Sequence, residues 1–193
     1  MKCRVLLSIL LLDAITGMAQ SPFPFVPTGS MITPRASHTA TLLLNGKVLI
    51  AGGGYANDSK SVSASAELYD PATGTFTPTG GMTSPRACSA ILLADGRVLV
   101  VGCAMPSNSA EVYDPTTGTF ATIGTSPYPF VSSLYVSTML ADSRVLITGG
   151  CGPQVFDPEA GTFTITGYSS RQCLDYSPYF YTTTLLPDGK VCS

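Results

Sequence analysis

ELYDPATGTF, Glu67 to Phe76, is written again as EVYDPTTGTF from Glu111 to Phe120 and as QVFDPEAGTF from Gln154 to Phe163. One reaction needs one set of reacting groups, whereas a motif repeated at a steady spacing marks a structural unit that needs copies of itself beside it. Read physically, the ten residues are a β-hairpin. In the first copy Leu68 and Phe76 bracket the turn, and Asp70 can accept a hydrogen bond from the backbone two residues on. Pro71 presets φ at the first corner, and Gly74 takes the left-handed conformation that closes the loop. Gly118 and Gly161 hold the place of Gly74, while Asp114 and Asp157 hold that of Asp70. Each of these aspartates has a turn to cap, so no metal site is expected of them.

Other segments recur in step with the hairpins. Upstream lie NGKVLIAGGG (Asn45 to Gly54), DGRVLVVGCA (Asp95 to Ala104) and DSRVLITGGC (Asp142 to Cys151), each a turn followed by an apolar run ending in glycine. Before these come HTATLLL, CSAILLA, YVSTMLA and YTTTLLP, which also read as strands. MITPRAS and MTSPRAC precede the first two, with Pro34-Arg35 and Pro85-Arg86. One unit therefore holds four short strands at a period of 43 to 51 residues, the range of four-stranded propeller blades.

The order of these segments resembles the kelch repeat, closest to the galactose-oxidase-like bacterial branch of kelch β-propellers. By that resemblance the fold is all-β, and the Pro-Arg-x-x-His segment supplies the innermost strand of each blade. The double-glycine segment supplies the second strand, Tyr-Asp-Pro the third and Thr-Phe the outermost. Gly52-Gly53 and Gly149-Gly150 match the double glycine, and Gly102-Cys103 departs from it. The remaining repeat positions are Arg35 and Arg86, His38, Glu67 and Glu111, and Tyr69 and Tyr113.

The expected organisation is a leader over residues 1–19 and a propeller fragment over 20–193. Within the fragment an outer strand covers 23–31, with blade 1 at about 33–80, blade 2 at about 84–124 and blade 3 at about 130–167. A fourth blade begins at about 176–193. About three and a half blades make an open arc, short of the smallest usual ring. Missing blades, in cis or from a second chain, are therefore expected as partners.

The leader MKCRVLLSILLLDAITGMAQ has a basic start, an apolar core and a small-x-small site, giving an expected cut between Ala19 and Gln20 and a secreted or periplasmic chain. Cleavage leaves Cys88, Cys103, Cys151, Cys173 and Cys192, an odd number with no C-x-x-C spacing for zinc. The net charge is −2 and no lysine/arginine run occurs, which argues against nucleic acid or a membrane surface as partner.

The repeat consensus fades along the chain, and tyrosine-rich segments take its place: Tyr128, Phe130 and Tyr135, then Tyr176, Tyr179 and Tyr181. Aromatic side chains on connecting loops can stack on sugars or anchor a protein, so these six are the candidate binding residues; the alternative, which the repeat favours, is that they pack between blades. The chemistry of galactose oxidase relies on copper held by His and Tyr beside a Cys–Tyr crosslink. This chain has one histidine, so a two-histidine copper site cannot be assembled within it. Acid/base candidates for a sugar epimerase would be Arg35, Arg86, Glu67 and Glu111, which sit at repeated positions suited to bracing strands. The expectation is a secreted module without catalytic residues or cofactor, recognising a protein or carbohydrate through blade loops. The alternative is a fragment of a carbohydrate-active propeller enzyme, epimerase- or oxidase-like, whose site lies partly outside this chain.

Overall fold

The computed structural model describes residues 27–54, 62–86, 89–102, 108–128, 135–149, 152–167, 183–186 and 190–192. They form strands and turns throughout, with no helix among them. Strands β1 (Thr39–Leu42), β2 (Val48–Ala51), β3 (Ala66–Asp70) and β4 (Thr75–Thr79) pair in that order as blade 1. Blade 2 is β5 (Ser89–Leu92), β6 (Val98–Val101), β7 (Ser109–Asp114) and β8 (Thr119–Thr125). Blade 3 is β9 (Val136–Met139), β10 (Val145–Thr148), β11 (Gln154–Asp157) and β12 (Thr162–Ile165). A last pair, β13 (Thr184–Leu185) and β14 (Val191–Cys192), follows. Every pairing is antiparallel.

The first strands of the sheets are neighbours in sequence order, β1 against β5, β5 against β9 and β9 against β13. Four-stranded antiparallel sheets that meet at their first strands are propeller blades, here in an open arc. Residues 27–31, the described part of the expected outer strand, pair with no strand.

The hairpin motif folds as its residues dictate. The Gly74 N–H donates to the Asp70 carbonyl at 2.8 Å, the Ala72 N–H donates to Asp70 Oδ1 at 2.9 Å, and Gly74 has φ of 68°. Gly118 on Asp114 and Gly161 on Asp157 repeat the turn at 2.8 and 2.9 Å. The β1–β2 turn uses Gly46 at φ 82° and the β5–β6 turn Gly96 at φ 88°; at the same place in blade 3 stands Ser143, at φ 67°. A serine held there is strained where glycine is not.

Strand alternation divides each blade into two faces. In blade 2, Val98, Val100 and Tyr113 are fully buried against Leu43, Leu49, Ala51, Ala66 and Met82 of blade 1 and the strap that follows it. The opposite face, Leu99, Val101, Ala110 and Val112, is buried against Val145, Ile147 and Phe156 of blade 3. β6 is thus buried on both sides, and each side chain taken from water there contributes about 1.5–3 kcal/mol.

Candidate functional site: the loop end of the blades

Antiparallel order places the tight β1–β2 and β3–β4 turns of each blade at one end. The β2–β3 connections (52–65, 102–108, 149–153) and the blade-to-blade connections (80–88, 126–135, 166–183) leave from the other end. This loop end carries Arg35, Glu67, Arg86 and Glu111 and, of the aromatic candidates, Tyr128 and Tyr135.

Two charged clamps are built there. Arg35 Nη2 donates to Glu67 Oε1 at 2.7 Å and to Ser65 Oγ at 2.9 Å, while Nη1 donates to the carbonyls of Gly52 and Ser65 at 2.8 and 2.9 Å. The Glu67 carboxylate also accepts from the backbone N–H of Ile32 at 2.8 Å and of Thr33 at 2.9 Å. In blade 2, Arg86 Nε and Nη2 reach Glu111 Oε1 at 2.9 and 2.7 Å. Its Nη1 donates to the Ser109 carbonyl at 2.7 Å, and the Thr83 N–H donates to Glu111 Oε2 at 2.8 Å. Side-chain exposures are 1% and 3% for the first pair and zero for the second.

Each clamp pins the strap leading into a blade onto that blade's third strand, and its hydrogen-bonding capacity is spent internally. Burial opposes the Glu67 carboxylate, but the Thr33 and Ile32 N–H groups and the Arg35 guanidinium outweigh it and hold its pKa below the ordinary value. Ser65 and Ser109 belong to these clamps as well. Their signal was the Ser-Ala-Glu written twice, at Ser65 to Glu67 and Ser109 to Glu111.

The double glycine has a steric cause. Gly52 and Gly53 lie at φ 67° and 79°, and the Gly53 N–H donates to the Arg86 carbonyl at 2.9 Å. A Cβ on Gly52 would stand 2.1 Å from that same oxygen, so the backbones of consecutive blades meet where only glycine fits. Gly102 and Gly149 repeat the positive φ, at 102° and 118°. Gly150 and four cysteines (Cys88, Cys103, Cys151 and Cys173) lie outside the described residues, and the described Cys192 ends β14.

Blade 3 replaces the charged clamp by a neutral one, in which Ser126 Oγ donates to Gln154 Oε1 at 2.5 Å. The half-buried Tyr128 follows, its N–H donating to Ser126 Oγ at 3.1 Å. Tyr135 corrects the sequence reading: it is 8% exposed and belongs to the core between blades 2 and 3, beside Leu93 and Val145. Its position precedes the innermost strand, where the arc narrows, so its ring packs between sheets and is unavailable as a binding surface. Phe130, Tyr176, Tyr179 and Tyr181 lie outside the described residues, as do the leader and residues 20–26. His38 is half-buried just before β1, and its Nδ1 has no hydrogen-bond partner among the described residues.

At the opposite end a cleft of about 490 Å³ opens between blades 2 and 3, lined by Asp95, Arg97, Asp142, Arg144, Asp157 and Glu159 among others. Its arginines are bound to their own neighbours, Arg97 to Asp95 at 2.7 Å and Arg144 to Asp142 at 2.6 Å. These are partly exposed pairs within tight turns, and they leave no free cation to hold a ligand.

No family model and no curated protein matches the chain. Among solved structures it is similar to a fungal alcohol oxidase of the AA5 family, in complex with copper. The TM-score is 0.53 at 17% identity, over 67% of this chain and 30% of that one. At that identity the likeness is one of fold, and it agrees with the strand order and the blade-to-blade packing. The chain is an all-β protein whose four-stranded sheets are propeller blades set in an open arc.

Proposed function

We propose that this chain is an exported kelch-type module that binds a protein or carbohydrate ligand at the loop end of its blades, without chemistry of its own. The observation that carries this reading is the state of Arg35, Glu67, Arg86 and Glu111. All four are buried and paired, so none is free to exchange a proton with a substrate. The half-buried Tyr128 lies at the same end and offers a ring for stacking.

A second reading draws on the oxidase neighbour: a fragment of a carbohydrate-active propeller enzyme whose site lies partly outside this chain. The metal of that neighbour does not fit the residues present. The sequence has one histidine, and the described residues contain no group of three His, Cys, Asp or Glu that could hold an ion. No step through copper is therefore derived.

A glycan array and a paired activity assay, with copper supplied, separate the two readings. Glycan binding that falls about ten-fold in Tyr128→Ala at unchanged melting temperature supports the module. Turnover of primary alcohols to aldehyde and peroxide, or epimerisation of a sugar, would reverse the preference. Export predicts a mature N-terminus at Gln20, and mass spectrometry finding Met1 on exported protein would remove that part of the proposal.

A further inference from the structure

The β1–β2 turn of blade 1 is built from Leu43, Leu44, Asn45, Gly46 and Lys47. The Leu43 N–H donates to the Lys47 carbonyl at 2.8 Å, the Gly46 N–H to the Leu43 carbonyl at 3.0 Å, and the Lys47 N–H to Asn45 Oδ1 at 3.1 Å. Blades 2 and 3 make the last contact with a carboxylate: the Arg97 N–H donates to Asp95 Oδ1 at 3.0 Å and the Arg144 N–H to Asp142 Oδ1 at 3.2 Å. There the carboxylate also pairs with the arginine of its own turn, at 2.7 and 2.6 Å. The Asn45 carboxamide cannot form such a pair, and Lys47 reaches instead across to Asp70 Oδ2 at 3.4 Å. Blade 1 thus holds an amide where the same turn elsewhere holds an acid.

Of the three asparagines in the sequence, Asn45 is the one that precedes a glycine. Both residues are exposed, Gly46 lies at φ 82°, and a Cβ on Gly46 would have nothing within 4 Å. The matching Gly96 of blade 2 is buried, and a Cβ on it would meet Leu44 Cδ1 at 2.8 Å. Asn108 is half-buried, precedes a serine and is held twice. Its Nδ2 donates to the Ser126 carbonyl at 2.9 Å, and its own carbonyl accepts from the Ser126 N–H at 2.7 Å. At Gly46 no side chain shields the amide nitrogen, and the bond that occupies its N–H breaks when an exposed turn opens locally.

We propose that Asn45 is a modification site, where spontaneous deamidation gives blade 1 the acidic turn that blades 2 and 3 encode. The Gly46 nitrogen, its proton lost to solvent, bonds to Asn45 Cγ. The Cγ–Nδ2 bond breaks, ammonia leaves with a proton taken from solvent, and a cyclic imide remains. Water then adds to the imide. Opening between Cγ and the ring nitrogen gives aspartate, and opening between the Asn45 backbone carbonyl carbon and that nitrogen gives isoaspartate. The net change is amide plus water to acid plus ammonia, with no oxidant or reductant. An aspartate fits this turn as Asp95 and Asp142 fit theirs and lies beside Lys47. Isoaspartate lengthens the main chain by one carbon inside a turn closed by the Leu43 bonds. The proposal is independent of what the loop end binds.

Incubation of the full chain at neutral and at mildly alkaline pH tests it, read by peptide mass spectrometry and by methyltransferase labelling of isoaspartate. Asn45 should lose its amide at least about ten-fold faster than Asn108 in the folded chain. The loss should be faster at the higher pH, because the nucleophile is the deprotonated backbone amide. Equal rates at the two asparagines would overturn the proposal. So would an intact Asn45 in the folded chain under conditions that convert a synthetic peptide of residues 41–50, since the folded turn would then protect it. Asn45→Asp, which supplies the aspartate product genetically, should melt at the parent's temperature; a lower one would overturn the claim that blade 1 accepts the acid.

Discussion

Arg86 Nη2 lies 2.7 Å from Glu111 Oε1, and neither side chain has any exposure to solvent. The ends of this pair change together along the chain. Counting from the glycine that ends each preceding blade (Gly80, Gly124), Arg86 corresponds to Phe130, and Glu111 to Gln154. Losing one member alone would leave a buried charge without its partner.

Arg86→Phe is therefore expected to destabilise the chain by about 3–5 kcal/mol, because the buried Glu111 carboxylate loses the guanidinium it is paired with. The double variant Arg86→Phe with Glu111→Gln, which transplants the blade 3 residues, should lose much less than the single one. Urea unfolding of Arg86→Phe, Glu111→Gln and the double variant gives the coupling; additive losses would mean that the pair does not act as a unit.

Acid should loosen blade 1 through Glu67. Its pKa is lowered from the ordinary value of 4.5, so the folded state binds the proton more weakly than the unfolded one does. Stability from this group is fully present above the unfolded pKa and is lost as pH falls through the folded one. Glu67→Gln should lower stability at neutral pH and flatten its decline below about pH 4.5. Unfolding midpoints measured from pH 3 to 7 check this, and parallel curves for the two proteins would contradict it.

The outer joint between blades follows the same pairing rule. Tyr113 Oη meets Thr79 Oγ1 at 2.8 Å, whereas blade 3 has Phe156 opposite Ile123, which packs into the apolar core. Tyr113→Phe should cost about 0.5–1.5 kcal/mol, and adding Thr79→Ile should recover most of it. Thermal unfolding of the single and double variants decides this, and a double variant worse than the single would refute it.

Gly80 is expected to be far less tolerant than its neighbour. A Cβ there would stand 2.4 Å from the Gly118 carbonyl oxygen, against 3.2 Å from the Ala64 oxygen for one on Gly81. Gly80→Ala should lose about 1–3 kcal/mol as the blades are forced apart, while Gly81→Ala should stay within about 1 kcal/mol of the parent. Denaturation midpoints of the two variants compare them directly.

Much of the blade was legible in the chain. Asp70, Pro71 and Gly74 specify their turn through local chemistry, and the same turn recurs at Asp114 and Asp157. The order from β1 to β4 followed from the order of the repeated segments, because sequential antiparallel strands joined by short turns pair with their neighbours. Arg35 and Glu67 stood out as repeated charges. Their repeated positions suggested an Arg–Glu pair that braces strands; the burial of the pair and the strap N–H groups that complete it were not legible, since 32 residues separate the two and only the folded strap brings them together.

Tyr135 marks the boundary between what the two levels decide. The sequence placed it on a connecting segment rich in tyrosine, which is consistent with a ring facing solvent and with one packed between sheets. By itself the sequence determined the turns, the strands and their order, because those depend on φ preferences and side-chain alternation over a few residues. Only the tertiary structure decided that Tyr135 is core, that Arg86 and Glu111 neutralise each other in a dry site, and that blade 1 leaves Leu42 in water. Burial is a property of two sheets meeting at a particular angle and register, and no local stretch of chain contains the second sheet.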